Sequence, residues 1–163
     1  MRIGLVAGLA LLAVSTPALA QGDLPSKKVL TIRAAKRIAD AAEAEANRRH
    51  ATVVIVVTDD GGYPLVLYRL DDTQVASVEV GLGKARTAAI FRRPSRVFEE
   101  QIKNGRLASL VLPGATPLQG GVPIVYEGKV IGAIGVSGNT PQEDEEIAIV
   151  GAEAVGRAIQ GTE

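Results

Sequence analysis

Thr52-Val53-Val54-Ile55-Val56-Val57 is an unbroken run of β-branched residues, and no other stretch narrows the possible folds as much. A run that never alternates with polar residues is a strand covered on both faces, so the chain must supply a layer above it and a layer below. Asp59-Asp60-Gly61-Gly62 follows as a turn, because glycine accepts the positive φ that hairpins require. Pro64–Leu70 then returns as a second strand. Farther on, Val122–Tyr126 and Lys129–Val136 pair through Glu127-Gly128, and Leu107–Leu112 reads as a short additional strand. Hairpins at both ends predict a largely antiparallel sheet of about five strands packed by helices, an α/β fold of the α+β kind and not a doubly wound one.

The helices are marked by spacing and caps. Thr31 caps a helix running to about Arg49, with Ile32, Ala35, Ala39, Ala42 and Ala46 on one face. Nearly all of that face is alanine, so close packing on a sheet or on another subunit is expected. Asp71-Asp72-Thr73 opens a second helix, in which Val75, Val78, Leu82, Ala85 and Ala89 share a face. Gly81 and Gly83 inside it cost about 1 kcal/mol each relative to Ala, so their missing Cβ is expected to serve a backbone contact or a ligand. Pro94 ends this helix, and Ser95 caps a shorter one reaching Asn104-Gly105. Pro113–Gly121 is a loop. Thr140-Pro141-Gln142-Glu143 is a capping box with proline at the first helical position. Asp144, Glu145 and Glu146 add charge that the helix dipole favours, and Ile147, Val150, Ala154 and Ala158 are expected on the buried face.

Residues 1–20 read as a secretory signal peptide: Met1-Arg2, an apolar run from Ile3 to Val14, and an Ala18-Leu19-Ala20 ending. The run is shorter than the ~20 apolar residues of a spanning helix, so no stable membrane insertion is expected after cleavage. Residues 21–28 form a polar lead-in, and residues 29–160 a single domain, exported to the periplasm or secreted. Cleavage removes Met1, the only methionine of a chain that has no cysteine. The mature protein then has no sulfur atom and a single imidazole, His50. Disulfides, thiolate ligands and thiol nucleophiles are excluded. Any iron or other metal would be touched by His50, a tyrosine, a hydroxyl, a carboxylate, an amine or water. With 18 basic and 18 acidic residues in the whole chain, there is no electrostatic footprint for nucleic acid.

Familiar motifs fail. Gly81-Leu82-Gly83-Lys84 lacks the spacing of a P-loop, and Ala85 stands where that motif needs Ser or Thr. Gly132, Gly135 and Gly138 lie in a strand and its exit, not at a strand-to-helix turn. Gly135-Val136-Ser137-Gly138 is not a nucleophile elbow. Asp59-Asp60 and Asp71-Asp72 could hold a cation, but turns and helix starts use Asp anyway. Arg92, Arg93 and Arg96 flank Pro94 and could grip an anionic ligand, or form a solvated helix end. His50 could be a ligand, or a residue that complements a helix C-terminus.

Several segments in order carry a family resemblance. They are Leu30-Thr31 with the alanine-rich helix, Val56-Val57-Thr58-Asp59-Asp60-Gly61-Gly62, and Lys84-Ala85-Arg86-Thr87-Ala88. Gln119-Gly120-Gly121-Val122-Pro123-Ile124, Gly132-Ala133-Ile134-Gly135-Val136-Ser137-Gly138 and then Asp144 follow. Over about residues 29–158 the chain resembles the GlcG/HbpS family of haem-binding, "haem-degrading" domains, which also forms the C-terminal part of PduO-type proteins. The resemblance implies a profilin-like or PAS-like fold, homo-oligomers, and haem as the cofactor or ligand. It implies haem contact in the Lys84–Ala88 stretch, at Thr87 and Lys84. With no Cys or Met ligand, Thr87 and His50, then Tyr63, Tyr68 or water, are the candidate donors to iron. Arg92, Arg93 and Arg96 would then face the propionates. A buried hydroxyl bonded to its own helix is the other role open to Thr87. The leading expectation is a protein that sequesters or senses haem or iron. A haem-degrading or hydroxy-acid-processing enzyme and an oligomeric interaction module without haem are the alternatives.

Overall fold

The computed structural model describes residues 24–160, with side chains described to residue 156. The expected signal peptide, the first three residues of the lead-in and the Ala158 side chain lie outside that range. The elements run α1 (Ile32–Arg48), β1 (Val54–Asp59), β2 (Pro64–Arg69), α2 (Ser77–Phe91), α3 (Arg96–Lys103), a 3₁₀ helix (Leu107–Val111), β3 (Gly121–Tyr126), β4 (Lys129–Ser137) and α4 (Pro141–Gln160). The sheet is antiparallel throughout, in the order β2-β1-β4-β3.

β1 is central and covered on both sides, as its composition predicts. Val53, Ile55 and Val57 join α1 and α4 in the main core, with Ile38, Ala42, Ile134 and Ile147. Val54 and Val56 face α2 and Ala85 on the other side. Both turns form as expected. Asp59 Oδ1 accepts from the N–H groups of Gly61 and Tyr63, each at 2.9 Å. Glu127 (φ 49) and Gly128 (φ 73) occupy the left-handed region that a two-residue hairpin needs.

Helix packing depends on missing side chains. A Cβ on Gly135 of β4 would lie 2.5 Å from the Ala85 backbone nitrogen, so the α2 backbone rests directly on the strand. A Cβ on Gly151 of α4 would lie 3.0 Å from the Ile38 carbonyl and 3.1 Å from the Ala42 Cβ. The alanine face of α1 therefore meets α4 and the sheet of its own subunit.

Four expectations need correction. Leu107–Leu112 is not a strand: Gly105 (φ 89) turns the chain after α3, and Ser109 then bonds through its amide to the Arg106 carbonyl and through its hydroxyl to Gln101 Oε1. The sheet of the described residues consequently has four strands. α2 begins at Ser77, not at Asp71, because Asp72 is left-handed (φ 60) and the Thr73 hydroxyl donates to the Leu70 carbonyl at 2.7 Å, making a turn. Val75 lies outside the helix and is 72 % exposed. On α1, Ile38 takes the core position and Ile32 is exposed. On α4 the buried stripe is Ile147, Ala148, Gly151 and Val155, with Val150 and Ala154 only half-buried, because Gly151 is what lets α4 approach α1.

Candidate functional site

The segments that carry the resemblance converge on a buried ion pair. Lys84 of α2 donates to Asp144 Oδ2 of α4 at 2.8 Å and to the Val136 carbonyl of β4 at 2.9 Å. Both residues are buried, and Asp144 Oδ1 also accepts from the Asn139 N–H at 3.0 Å. Gly120 leaves the room: a Cβ there would lie 2.8 Å from the Val136 carbonyl and 2.9 Å from Lys84 Nζ. The desolvation of a buried ion pair is offset in part by further hydrogen bonds, here those of the Val136 carbonyl and the Asn139 N–H. Lys84 is thus held inside the protein. Asp144, read from sequence as a charge at a helix N-terminus, is its counter-ion. Sequence spacing offered no signal for that pairing, because the partners are far apart in the chain.

Thr87 lies one turn after Lys84 and is fully buried. Its hydroxyl donates to the Gly83 carbonyl at 2.7 Å, and its oxygen accepts from the Thr116 N–H at 2.7 Å. The bond to its own helix is the structural role foreseen for it, and the Thr116 bond adds a clamp on the loop. Gly83 serves the same approach, since a Cβ there would lie 2.9 Å from the Thr116 Cβ. Gly81 meets only ordinary contacts. The loop is pinned further along by Ser95, which donates to the Leu118 carbonyl and accepts from the Gly121 N–H, and by Glu99, which accepts from the Gln119 N–H. Burial pushes the Glu99 carboxyl up, but Lys103 and the Gln119 amide outweigh it and hold it below the usual range.

The three arginines around Pro94 part company. Arg96 Nε lies 3.3 Å from Glu145 Oε1, and the Arg93 guanidinium sits 6.0 Å from the centre of the Phe98 ring. Arg92 alone lines a cleft of about 520 Å³ at the end of the sheet where β1 and α2 finish and β3 turns into β4. The other walls include Lys27, Lys28 and Asp60, then Tyr126, Glu127, Lys129 and Ile131 of the hairpin. Lys27 neutralises Asp60 at 2.5 Å. An apolar hollow of about 210 Å³ adjoins, lined by Val29, Leu30, Val155 and the shared Lys28, Tyr126 and Ile131. Neither Lys28 nor Lys129 was singled out from sequence; a lysine at a hairpin or in a lead-in looks like any solvated charge.

The remaining candidates lie elsewhere. His50 is exposed and left-handed (φ 55) just beyond α1, in a hollow with Glu43, Arg69 and Asp71. It shares no cavity with Thr87. The Tyr68 hydroxyl donates to Asp40 Oδ1 at 2.8 Å, and that bond pushes its pKa up. Tyr63 is exposed beside the β1–β2 turn. Among the described residues no three His, Cys, Asp or Glu side chains cluster as a metal site.

A family model described as haem degrading protein HbpS-like matches residues 30–153. Protein GlcG of Escherichia coli is 42 % identical over 114 residues, which is 70 % of this chain and 85 % of that protein. The crystal structure of protein ORFY from Klebsiella pneumoniae superposes with a TM-score of 0.77 at 27 % identity, covering 83 % of this chain and 97 % of that one. A double mutant of HbpS from Streptomyces reticuli superposes at 0.74 with 29 % identity, covering 87 % and 97 %.

Proposed function

This chain belongs to the HbpS-like family, and from that premise we propose that it is an exported, oligomeric haem-binding protein that sequesters or senses haem. The family match over residues 30–153 carries the reading. The cleft beside Arg92 supports it, because it offers cations for carboxylates and the Tyr126 and Ile131 side chains for a flat apolar surface. Its donors suit a porphyrin's edge better than its iron. No imidazole or thiolate lines it, and a hydrogen bond to Glu127 raises the Tyr126 pKa. When bound, haem supplies a redox-active iron in an apolar ring. The chain's part is to hold the ring's charged edge and cover its faces, at ~25 cal/mol per Å² of apolar surface removed from water. His50 lies in a separate hollow with Glu43, Arg69 and Asp71, so it does not reach a porphyrin held in this cleft by the same subunit.

The family's description also supports a second reading, oxidative degradation of haem. One experiment separates the two. The chain recovered from the periplasm, beginning at Gln21 and sized by light scattering, is titrated with haemin and then given a reductant and oxygen. A saturable Soret shift at micromolar haemin on an oligomer is the expected result. A persisting Soret band after reduction supports binding alone, and loss of the band with iron release supports turnover. A flat titration rejects the reading.

A further inference from the structure

Resting on the haem reading above, we propose that the cleft at the hairpin end recognises a planar tetrapyrrole by its carboxylates, through Arg92, Lys28 and Lys129, whether or not a metal sits in the ring. Three observations on this chain lead there. First, the charge in the cleft is unbalanced. Four cations and two carboxylates, Asp60 and Glu127, line it; Lys27 pairs with Asp60, and the side chains of Lys28, Arg92 and Lys129 have no ion pair among the described residues. A ligand with two carboxylates complements that surplus, and a guanidinium can bind one of them in a forked geometry.

Second, Arg92 holds its place against local preference. It caps α2 in the left-handed region (φ 54), where glycine is the relaxed choice. The helix dipole favours a cation anywhere in the last turn, so it accounts for the charge and not for an arginine at the left-handed position. A non-glycine residue kept in such a conformation beside a cavity points to use of its side chain.

Third, the cleft and the hollow beside it supply an edge and a face but no imidazole or thiolate for a metal. Tyr126 and Ile131 are shared by both, with Val29 and Leu30 beyond. Iron therefore adds little to affinity here, and discrimination rests on the carboxylates.

The test uses the processed chain with three probes: haemin, metal-free protoporphyrin IX and its dimethyl ester. Haemin and protoporphyrin IX should bind within about threefold of each other, with the ester at least about tenfold weaker. Arg92→Gly should weaken protoporphyrin binding by about tenfold while leaving the melting temperature unchanged or higher, since it removes a cation and relieves a strained residue together. Arg92→Lys, which keeps the charge but loses the fork, should bind between the parent and Arg92→Gly, and Arg93→Ala should retain all binding. If haemin binds and the ester binds equally well, or if metal-free protoporphyrin does not bind, this inference fails and the haem reading stands. If Arg92→Gly lowers stability and affinity together, Arg92 is a structural residue and the proposal is overturned. If no probe binds, both readings fall.

Discussion

Lys84 and Asp144 illustrate how one side chain can hold several segments together. The ammonium on α2 reaches β4 through the Val136 carbonyl and α4 through the Asp144 carboxylate, under a loop that passes close only because residue 120 is glycine. Removing one member strands the other as an uncompensated buried charge, which costs about 3 to 5 kcal/mol. Lys84→Met should therefore lower the unfolding free energy extracted from urea titration by about that much at neutral pH. Adding Asp144→Asn should recover part of the loss, because the amide carries no charge and its oxygen still accepts from Asn139. A Lys84→Met protein as stable as the parent would show that the pair is dispensable.

The same lysine shows the limit of reading single residues. Its place beside Thr87 in a matching motif suggested ligand contact, yet both side chains are turned inward and satisfied by protein atoms. Arg92 is the reverse case. It was one of three equivalent arginines in the sequence, and only its position at the end of α2 separates it from Arg93 and Arg96.

Among the elements, the loop between the 3₁₀ helix and β3 depends most on hydrogen bonds. Thr87, Ser95 and Glu99 hold three of its backbone groups, and few buried apolar side chains assist them. Thr87→Val keeps the shape of the side chain but removes the acceptor for the Thr116 amide. It should cost about 1 to 3 kcal/mol and leave that amide buried without a partner. Hydrogen exchange at Thr116 should rise well above the change seen at β1 amides, and equal acceleration everywhere would contradict a local clamp. α4 is more legible. Its capping box is present, with the Glu143 N–H donating to Thr140 Oγ1 at 3.3 Å and the Thr140 hydroxyl donating to Glu143 Oε2 at 2.9 Å. Its buried face was misread by one position, because Gly151 contributes nothing to an apolar pattern although it is the point of closest approach.

For the whole molecule, the two helices behind the sheet are joined at their surface by Glu45, Arg48, Arg49 and Glu146. Hydrogen bonds from Arg48 and Arg49 lower the Glu45 pKa from 4.5 to about 2. Its folded value is below its unfolded value, so the stabilisation is fully present above pH 4.5 and is lost as pH falls toward about 2. Unfolding stability measured across that window should fall less steeply for Glu45→Gln than for the parent. Identical slopes would show that the network adds nothing to global stability.

From sequence alone, the doubly covered strand β1, both hairpins, the capped helices α1 and α4, the absence of cysteine and the family resemblance were all determined. Each depends on residues close in the chain or on composition, where backbone preference and the alternation of polar and apolar groups act directly. The tertiary structure decided the rest. It turned Leu107–Val111 into a 3₁₀ helix, started α2 at Ser77, paired Lys84 with Asp144, and gathered Lys28, Arg92 and Lys129 around one cleft. Those outcomes are set by which distant backbones approach closely enough to exclude a Cβ or neutralise a charge, and short-range spacing carries no record of that distance.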